Sequence, residues 1–519
     1  MILSPTRIFG HTALTYAQEI ALVNYERNRR FTFKELHELT NKVCNMLSDE
    51  FKLVKGNVFG TILENDNMGL LYLTMMKSEC TSLWLGMMDS IEEHLYQIDF
   101  VRPSVIFIEK HLLEQYYDPL SQRNIDMVVM DKPDTQMKDV YDFWELLEKS
   151  SPEDPDTQVV ADDANKHCCL LKFTGGTTGR GKCAMYSVSN FLSSGTNMSY
   201  GDVFPHEKPK VLLSTPITHA AGSMVIPAYF KGGAVITLNR ADIEVFCKAI
   251  EKERVELIYT VPTVLYRMVD MGLTEKYDLS SLKTVRYGAS PIAAGKLEEL
   301  IKQFGKIFMQ GYASTESWIP GTILNRNEHD ASTEVGRKRL KSVGRPAPGV
   351  EIKIVDTNGK ETSIDEEGEI LVRGPHTIVS YYNDPEQTKE GFTEDGFWKS
   401  GDIGYRDADG FIYLIDRKKD MIVSGGFNVY ATEVENCINS HPSVQQSAVV
   451  GLPDEIWGEA VHGEVILNKG ASLSEEELIK YCKANLSRYK VPKSIKFVEE
   501  LPLSAVGKIL RREVRKRYQ

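Results

Sequence analysis

The chain has eight cysteines (Cys44, Cys80, Cys168, Cys169, Cys183, Cys247, Cys437 and Cys482), but no Cys-x-x-Cys pair and no Cys/His cluster at metal-ligand spacing. That absence excludes a zinc-finger-like framework, and the cysteines read as reduced thiols. Also missing is any uninterrupted apolar run of membrane-spanning length, and Met1-Ile2-Leu3-Ser4-Pro5 has neither the basic flank nor the apolar core of a secretory signal. A cytoplasmic location with no integral membrane segment is expected. Positive charge is in deficit: the formal net charge is −12, which argues against a broad nucleic-acid or anionic-membrane surface. No nucleic-acid partner is expected. One concentrated basic stretch remains, Arg511-Arg512-Glu513-Val514-Arg515-Lys516-Arg517, and it reads as a solvated helix face, with capture of a phosphorylated ligand as the lesser alternative. No repeat or low-complexity tract is visible.

What is present is ordinary globular composition, 42% hydrophobic and 26% charged over 519 residues, a length at which two or more domains are the default. Up to about residue 415, short β-rich runs such as Val211-Leu212-Leu213-Ser214, Leu257-Ile258-Tyr259-Thr260 and Thr284-Val285-Arg286-Tyr287 alternate with helical stretches such as 296–303. The alternation predicts a layered α/β domain with substantially parallel sheet. Shorter strands at 351–356 and 369–373, separated by Asn358-Gly359 and Glu367-Gly368, predict a small β subdomain of hairpins. The texture changes at Arg417-Lys418-Lys419-Asp420, a charge run followed by Gly425-Gly426. Beyond it the pattern is α+β: helix from Thr432, strand 447–450, helix from Ser474, strand 494–498. The expected organisation is a large domain over 1–418 and a small mobile one over 419–519.

Residues 168–173 are an apolar run that ends in Phe173-Thr174-Gly175-Gly176-Thr177-Thr178-Gly179-Arg180-Gly181-Lys182. Glycines let backbone N–H groups approach an anion, threonines add hydroxyl donors and the lysine adds charge, so phosphate is the natural guest. Gly176 to Lys182 also satisfies the Gly-x-x-x-x-Gly-Lys pattern of a P-loop nucleotidase. Against that reading, Cys183 stands where a magnesium-binding Ser or Thr belongs, and Ala184-Met185-Tyr186-Ser187-Val188 lacks a clear amphipathic helical pattern. A Gly-rich turn of purely structural purpose is the remaining alternative.

With its company along the chain, this loop resembles that of the adenylate-forming superfamily of acyl-CoA and aryl-CoA synthetases, luciferases and peptide-synthetase adenylation domains. The family loop usually reads Thr-Ser-Gly-Thr-Thr-Gly-x-Pro-Lys-Gly; here Gly175 replaces Ser, Gly181 replaces Pro and Cys183 replaces Gly. Pro216-Ile217-Thr218-His219 resembles the acyl-pocket motif and Tyr287-Gly288-Ala289-Ser290-Pro291 the adenine-binding segment. Gln310-Gly311-Tyr312-Ala313-Ser314-Thr315-Glu316 resembles Tyr-Gly-x-Thr-Glu, with Ala313 where glycine is usual. Ser400-Gly401-Asp402, Asp416-Arg417-Lys418-Lys419-Asp420, Gly425-Gly426 and Leu503-Ser504-Ala505-Val506-Gly507-Lys508-Ile509 follow in the family's order.

The resemblance implies a reaction. A carboxylate is a poor electrophile, and ATP converts it to a mixed anhydride with AMP as leaving group, a transfer that needs charge neutralisation and a metal. By resemblance Thr174, Thr177, Thr178 and Lys182, with Gly175, Gly176 and Gly179, hold the β and γ phosphates. Thr315 contacts the α-phosphate, Glu316 ligates Mg2+, and Gly288, Ala289, Ser290, Gly311, Tyr312 and Ala313 border the nucleotide. Asp402 and Arg417 take the ribose hydroxyls. Lys508 is the catalytic lysine between carboxylate and α-phosphate, Lys419 the hinge, and Gly425 and Gly426 line the tunnel for coenzyme A. His219, Ala220, Ala221, Gly288, Ala313 and Trp318 form the acyl pocket, with His219 as gate or wall; a hydrogen-bonded core histidine is its alternative role. No aspartate stands in Thr218-His219-Ala220-Ala221-Gly222, so an α-amino acid is not expected, and an uncharged aromatic, cyclic or medium-chain tail is. Taken alone, Glu316 and Lys508 would read as solvated charges and Gly425-Gly426 as a hairpin turn. Coenzyme A is the expected acceptor; an amine or a carrier protein would use the same residues, and a nucleotide-binding protein without ligase activity is the third reading. Monomer and homodimer stay equally open.

Overall fold

The computed structural model describes all residues except 175–180, 201–203, 205–206, 240–241, 289–291, 293, 319, 419, 425–426, 455–456, 504–508 and 519, and of 200, 294 and 428 the backbone only. Two large sheets share one core. The first has the order Cys183–Tyr186, Leu170–Phe173, Thr81–Trp84, Val58–Ile62, Val105–Ile108, Asp126–Val129, Val140–Asp142, and only its Cys183–Tyr186 edge is antiparallel. The second is parallel from Phe308–Tyr312 through Thr284–Tyr287, Leu257–Thr260, Lys210–Leu213 and Ala234–Thr237 to Ile20–Asn24, with antiparallel strands at both ends. Strands buried on both faces read as continuous apolar runs, and Val105-Ile106-Phe107-Ile108 is wholly buried for that reason.

Facing side chains of the two sheets, among them Trp84, Leu170, Tyr259 and Met309, join a single hydrophobic cluster. The outer face of the second sheet is covered by helices Ile243–Glu253, Pro262–Asp270 and Ala294–Phe304, and that of the first by Ile91–Val101 and Leu113–Ser121. Full burial of each large aliphatic or aromatic side chain contributes roughly 1.5–3 kcal/mol, so these clusters hold the layers together. The expected α/β layering is what the chain adopts.

The hairpins expected around residues 351–373 form an antiparallel sheet of Glu351–Val355, Gly368–Arg373, Trp398–Arg406 and Ile412–Arg417. A separate sheet starts at Ile422–Ser424 and is built on Val444–Asp454 and Gly458–Leu467, packed against Ala431–Asn439 and Glu475–Asn485. The last helix, Arg511–Lys516, departs from expectation. Its Val514 packs on Ala448 and Val450, and Arg511 points inward rather than into water, because buried carboxylates await it. Arg517 likewise pairs with the fully buried Glu464 at 2.6 Å. Among the described residues no helix is long and apolar enough to cross a membrane, and all eight cysteines are free.

Candidate active site

The phosphate loop is the connection of a β-hairpin. Leu170–Phe173 and Cys183–Tyr186 pair antiparallel with Phe173 opposite Cys183, so a strand follows Lys182 where a P-loop requires a helix. That topology removes the P-loop alternative. The neck is closed by Thr174, whose N–H donates to the Lys182 carbonyl at 2.8 Å and whose Oγ1 accepts from the Lys182 N–H at 3.0 Å. A Cβ on Gly181 would stand 2.2 Å from the Thr174 carbonyl oxygen, which gives the loss of the family's proline a steric reason. Cys183 is buried in its strand with its thiol pushed well up by burial, and offers no ligand to a cation. Gly175, Gly176, Thr177, Thr178 and Gly179 lie outside the described residues.

Tyr381 brings the two ends of the phosphate chemistry together. The Lys182 ammonium sits 5.0 Å from the centre of its ring, and its hydroxyl donates to Glu316 Oε1 at 3.1 Å. Tyr381 is positioned by Cys183–Tyr186, since it bridges to Ala184 while the Tyr382 N–H donates to the Cys183 carbonyl. Burial and the Glu316 charge push the Tyr381 phenol up, so it stays a donor. The turn that carries Thr315 and Glu316 is pinned from two sides: Tyr186 donates to the Thr315 carbonyl, and the Ile378 N–H to the Glu316 carbonyl at 2.9 Å. Sequence reasoning missed Tyr381, whose segment carries no motif. Glu316 has a carboxylate oxygen beyond the one held by Tyr381, a hard donor that fits Mg2+ beside phosphate oxygens.

Tyr312, Asp402 and Arg417 also meet. The Tyr312 hydroxyl donates to Asp402 Oδ2 at 2.6 Å, and Arg417, directly across the strand pair, approaches Asp402 Oδ1 at 3.3 Å. Burial beside Asp402 holds the Tyr312 phenol well above its ordinary range. Gly288 and Gly311 face one another closely enough that a Cβ on Gly288 would sit 3.0 Å from the Gly311 carbonyl oxygen. Ala289 and Ser290 lie outside the described residues, as do Lys419, Gly425, Gly426 and Lys508. The strands flanking the two glycines pair with Ser424 opposite Phe427, and Leu503 bridges to Ile509 on either side of the lysine segment.

The expected acyl-pocket residues share one neighbourhood. Ala221 and Trp318 belong to the inter-sheet cluster, Ala220 and Ala313 pack against it, and half-buried His219 opens the turn Ala220–Met224. Its ring nitrogen Nδ1 lies 3.2 Å from Thr218 Oγ1. Two buried cations stand here that the sequence reading did not single out. Lys172 donates to the Thr218 carbonyl and lies 5.4 Å from the Trp318 ring centre; burial, partly offset by Asp89 and Glu316, pushes its ammonium down to about 7. Arg286, a charge in an otherwise apolar strand, is 2% exposed and lowered by burial to about 10. That lone charge was the available signal. The acidic cluster Glu64, Asp66 and Glu109 is already filled by Arg27, which contacts all three.

The profile of the AMP-binding enzyme family matches residues 9–382, and that of the AMP-binding enzyme C-terminal domain matches 433–508. A medium/long-chain-fatty-acid–CoA ligase of Mycobacterium tuberculosis is 34% identical over 444 residues, covering 83% of this chain and 75% of its own length. A feruloyl-CoA synthase of Amycolatopsis is 36% identical over 374 residues, covering 72% and 73%. Among solved structures, O-succinylbenzoate coenzyme A synthetase of Bacillus subtilis in complex with ATP and magnesium ion is similar at 25% identity and a TM-score of 0.83, over 98% of this chain and 99% of that one.

Proposed function

This chain belongs to the AMP-binding enzyme family, and from that premise we propose how its residues divide the work of an AMP-forming acyl-CoA ligase. One oxygen of the acid attacks the α-phosphorus of ATP, the bond to the bridging oxygen breaks, and pyrophosphate leaves with the electron pair. The coenzyme A thiol then gives up its proton, sulfur attacks the acyl carbon, and AMP departs. Thr174, Lys182 and the donors between them hold the β and γ phosphates, with Lys182 steadied over Tyr381. Thr315 meets the α-phosphate, and Glu316 would hold Mg2+, which would supply charge neutralisation for the leaving pyrophosphate. Asp402 and Arg417 hold the ribose, and Gly288, Ala289, Ser290, Gly311, Tyr312 and Ala313 border the base. Lys508 stabilises the charge that develops between carboxylate and phosphate.

The observation that carries this division is the Lys182–Tyr381–Glu316 chain, which gathers phosphate cation and metal carboxylate from distant parts of the sequence. A domain division between residues 418 and 419, with Lys419 as hinge and Gly425 and Gly426 beside the thiol arm, is supported by one sheet ending at Arg417 and the next beginning at Ile422. The acid lacks an ammonium group: Lys172 and Arg286 would repel one, and the relatives named above act on fatty acids and on ferulic acid.

Pyrophosphate release across a panel of acids, with and without coenzyme A, tests the reading. Release should require an acid, and full turnover should require the thiol. Lys508→Ala should abolish release while still forming thioester from supplied acyl adenylate; equal loss of both steps would refute the division of labour.

A further inference from the structure

The acyl pocket proposed above ends on an unanswered charge. Arg286 occupies the middle of Thr284–Tyr287, flanked across the sheet by Tyr259 and Met309, both members of the inter-sheet cluster that also contains Ala221 and Trp318. Neither Nη1 nor Nη2 of Arg286 has a hydrogen-bond partner, and among the described residues no carboxylate pairs with it. Among the described residues its electrostatic neighbour is Tyr259.

The guanidinium lies directly under the backbone that borders the substrates. A Cβ on Gly311 would stand 2.8 Å from Arg286 Nη2, and one on Gly288 would stand 3.3 Å from the Tyr259 hydroxyl. Gly288 is two residues further along the chain, just past the end of the strand, where the proposed nucleotide segment begins. At about 3.3 Å per residue, Arg286 therefore sits deeper than the nucleotide. The reacting carboxylate must stay beside Thr315 and the α-phosphate, so it cannot also reach this floor.

An arginine keeps its charge at neutral pH, and a buried charge is tolerated when something pairs with it. The described residues supply no such partner, and an acid lying in the proposed acyl pocket would bring its far end toward this position. We propose that Arg286 is an anion receptor at the closed end of the acyl pocket, and that the acid activated here carries a second carboxylate remote from the one that reacts. A planar guanidinium with two free N–H groups suits a carboxylate held by paired hydrogen bonds. This reading rests on the ligase assignment and replaces the uncharged tail expected from the sequence.

The test compares matched acids in the full-length enzyme: hexanoate against adipate, and phenylacetate against 4-carboxyphenylacetate, each by kcat/KM for pyrophosphate release. The wild type should favour the diacid of a pair, and Arg286→Met should cut diacid turnover about a hundredfold or more while raising that of the monoacid. Arg286→Lys, which keeps the charge but not the fork, should retain part of the preference and serves if the methionine variant does not fold. A wild-type preference for the monoacid in both pairs, with the ratio unmoved in either variant, would overturn the receptor and leave the ligase intact. Pyrophosphate release with none of the four acids, nor with any on the wider panel, would instead overturn the ligase reading on which it rests.

Discussion

Arg286 and Arg511 are both withdrawn from water, yet they live in opposite electrostatic settings. Arg511 grips Glu435 with two nitrogens at 2.6 and 2.9 Å, reaches Asp416 at 3.2 Å and Asp420 at 3.1 Å, and is raised above its usual range by these carboxylates, which outweigh its burial. Arg286 has no such partner among the described residues and is lowered by burial. Arg511 ties the last helix to the strand Ile412–Arg417 and to Ala431–Asn439, so its charge is used up in holding the C-terminal segments together. The difference teaches how to sort the buried cations of this chain: a guanidinium with its carboxylates is structure, and one without them is open to the ligand proposed for it.

The comparison can be broken most forcefully at Arg511. Arg511→Met strands Asp416, Glu435 and Asp420 without their cation, and removing one partner of a buried network costs about 3–5 kcal/mol. A large fall in unfolding free energy by denaturant titration, with hydrogen exchange accelerated after residue 420, is expected. A third buried cation sharpens the contrast. Lys172 falls from 10.5 in the unfolded chain to about 7 when folded, so between those values the unfolded state binds more protons and stability rises with pH. Lys172→Met should flatten the unfolding free energy between pH 7 and pH 10. The smallest effect belongs to Arg254, whose pairing with Asp278 at 2.7 Å is exposed. Arg254→Met should leave the melting temperature unchanged, since solvent screens such a pair.

Much of this architecture was legible in the sequence because it rests on local patterns. Leu257–Thr260 and Thr284–Tyr287 are rich in β-branched and aromatic residues, with Arg286 the one charge among them, and the hairpins around Asn358-Gly359 carry their turn residues openly. The strand Gly458–Leu467 escaped notice because His462 and Glu464 interrupt its apolar pattern, yet Glu464 is fully buried and satisfied by Arg517 and Tyr518. Pairing over such separations cannot be read from spacing. The same limit applied at the site. Motifs supplied Lys182, Glu316, Tyr312, Asp402 and Arg417, whereas Tyr381, Lys172 and Arg286 owe their importance to what surrounds them in space. Arg511 showed the reverse error, since a basic run on a terminal helix looks solvated until its buried carboxylates are seen.

Side-by-side thermal unfolding of Arg286→Met and Arg511→Met with the unliganded wild-type enzyme tests the account most directly. Replacing an unpaired buried charge by an apolar side chain of similar size removes a desolvation cost, so Arg286→Met should melt higher than wild type and Arg511→Met lower. A fall in both would mean that Arg286 is wired into the fold as Arg511 is, and would contradict its reservation for substrate.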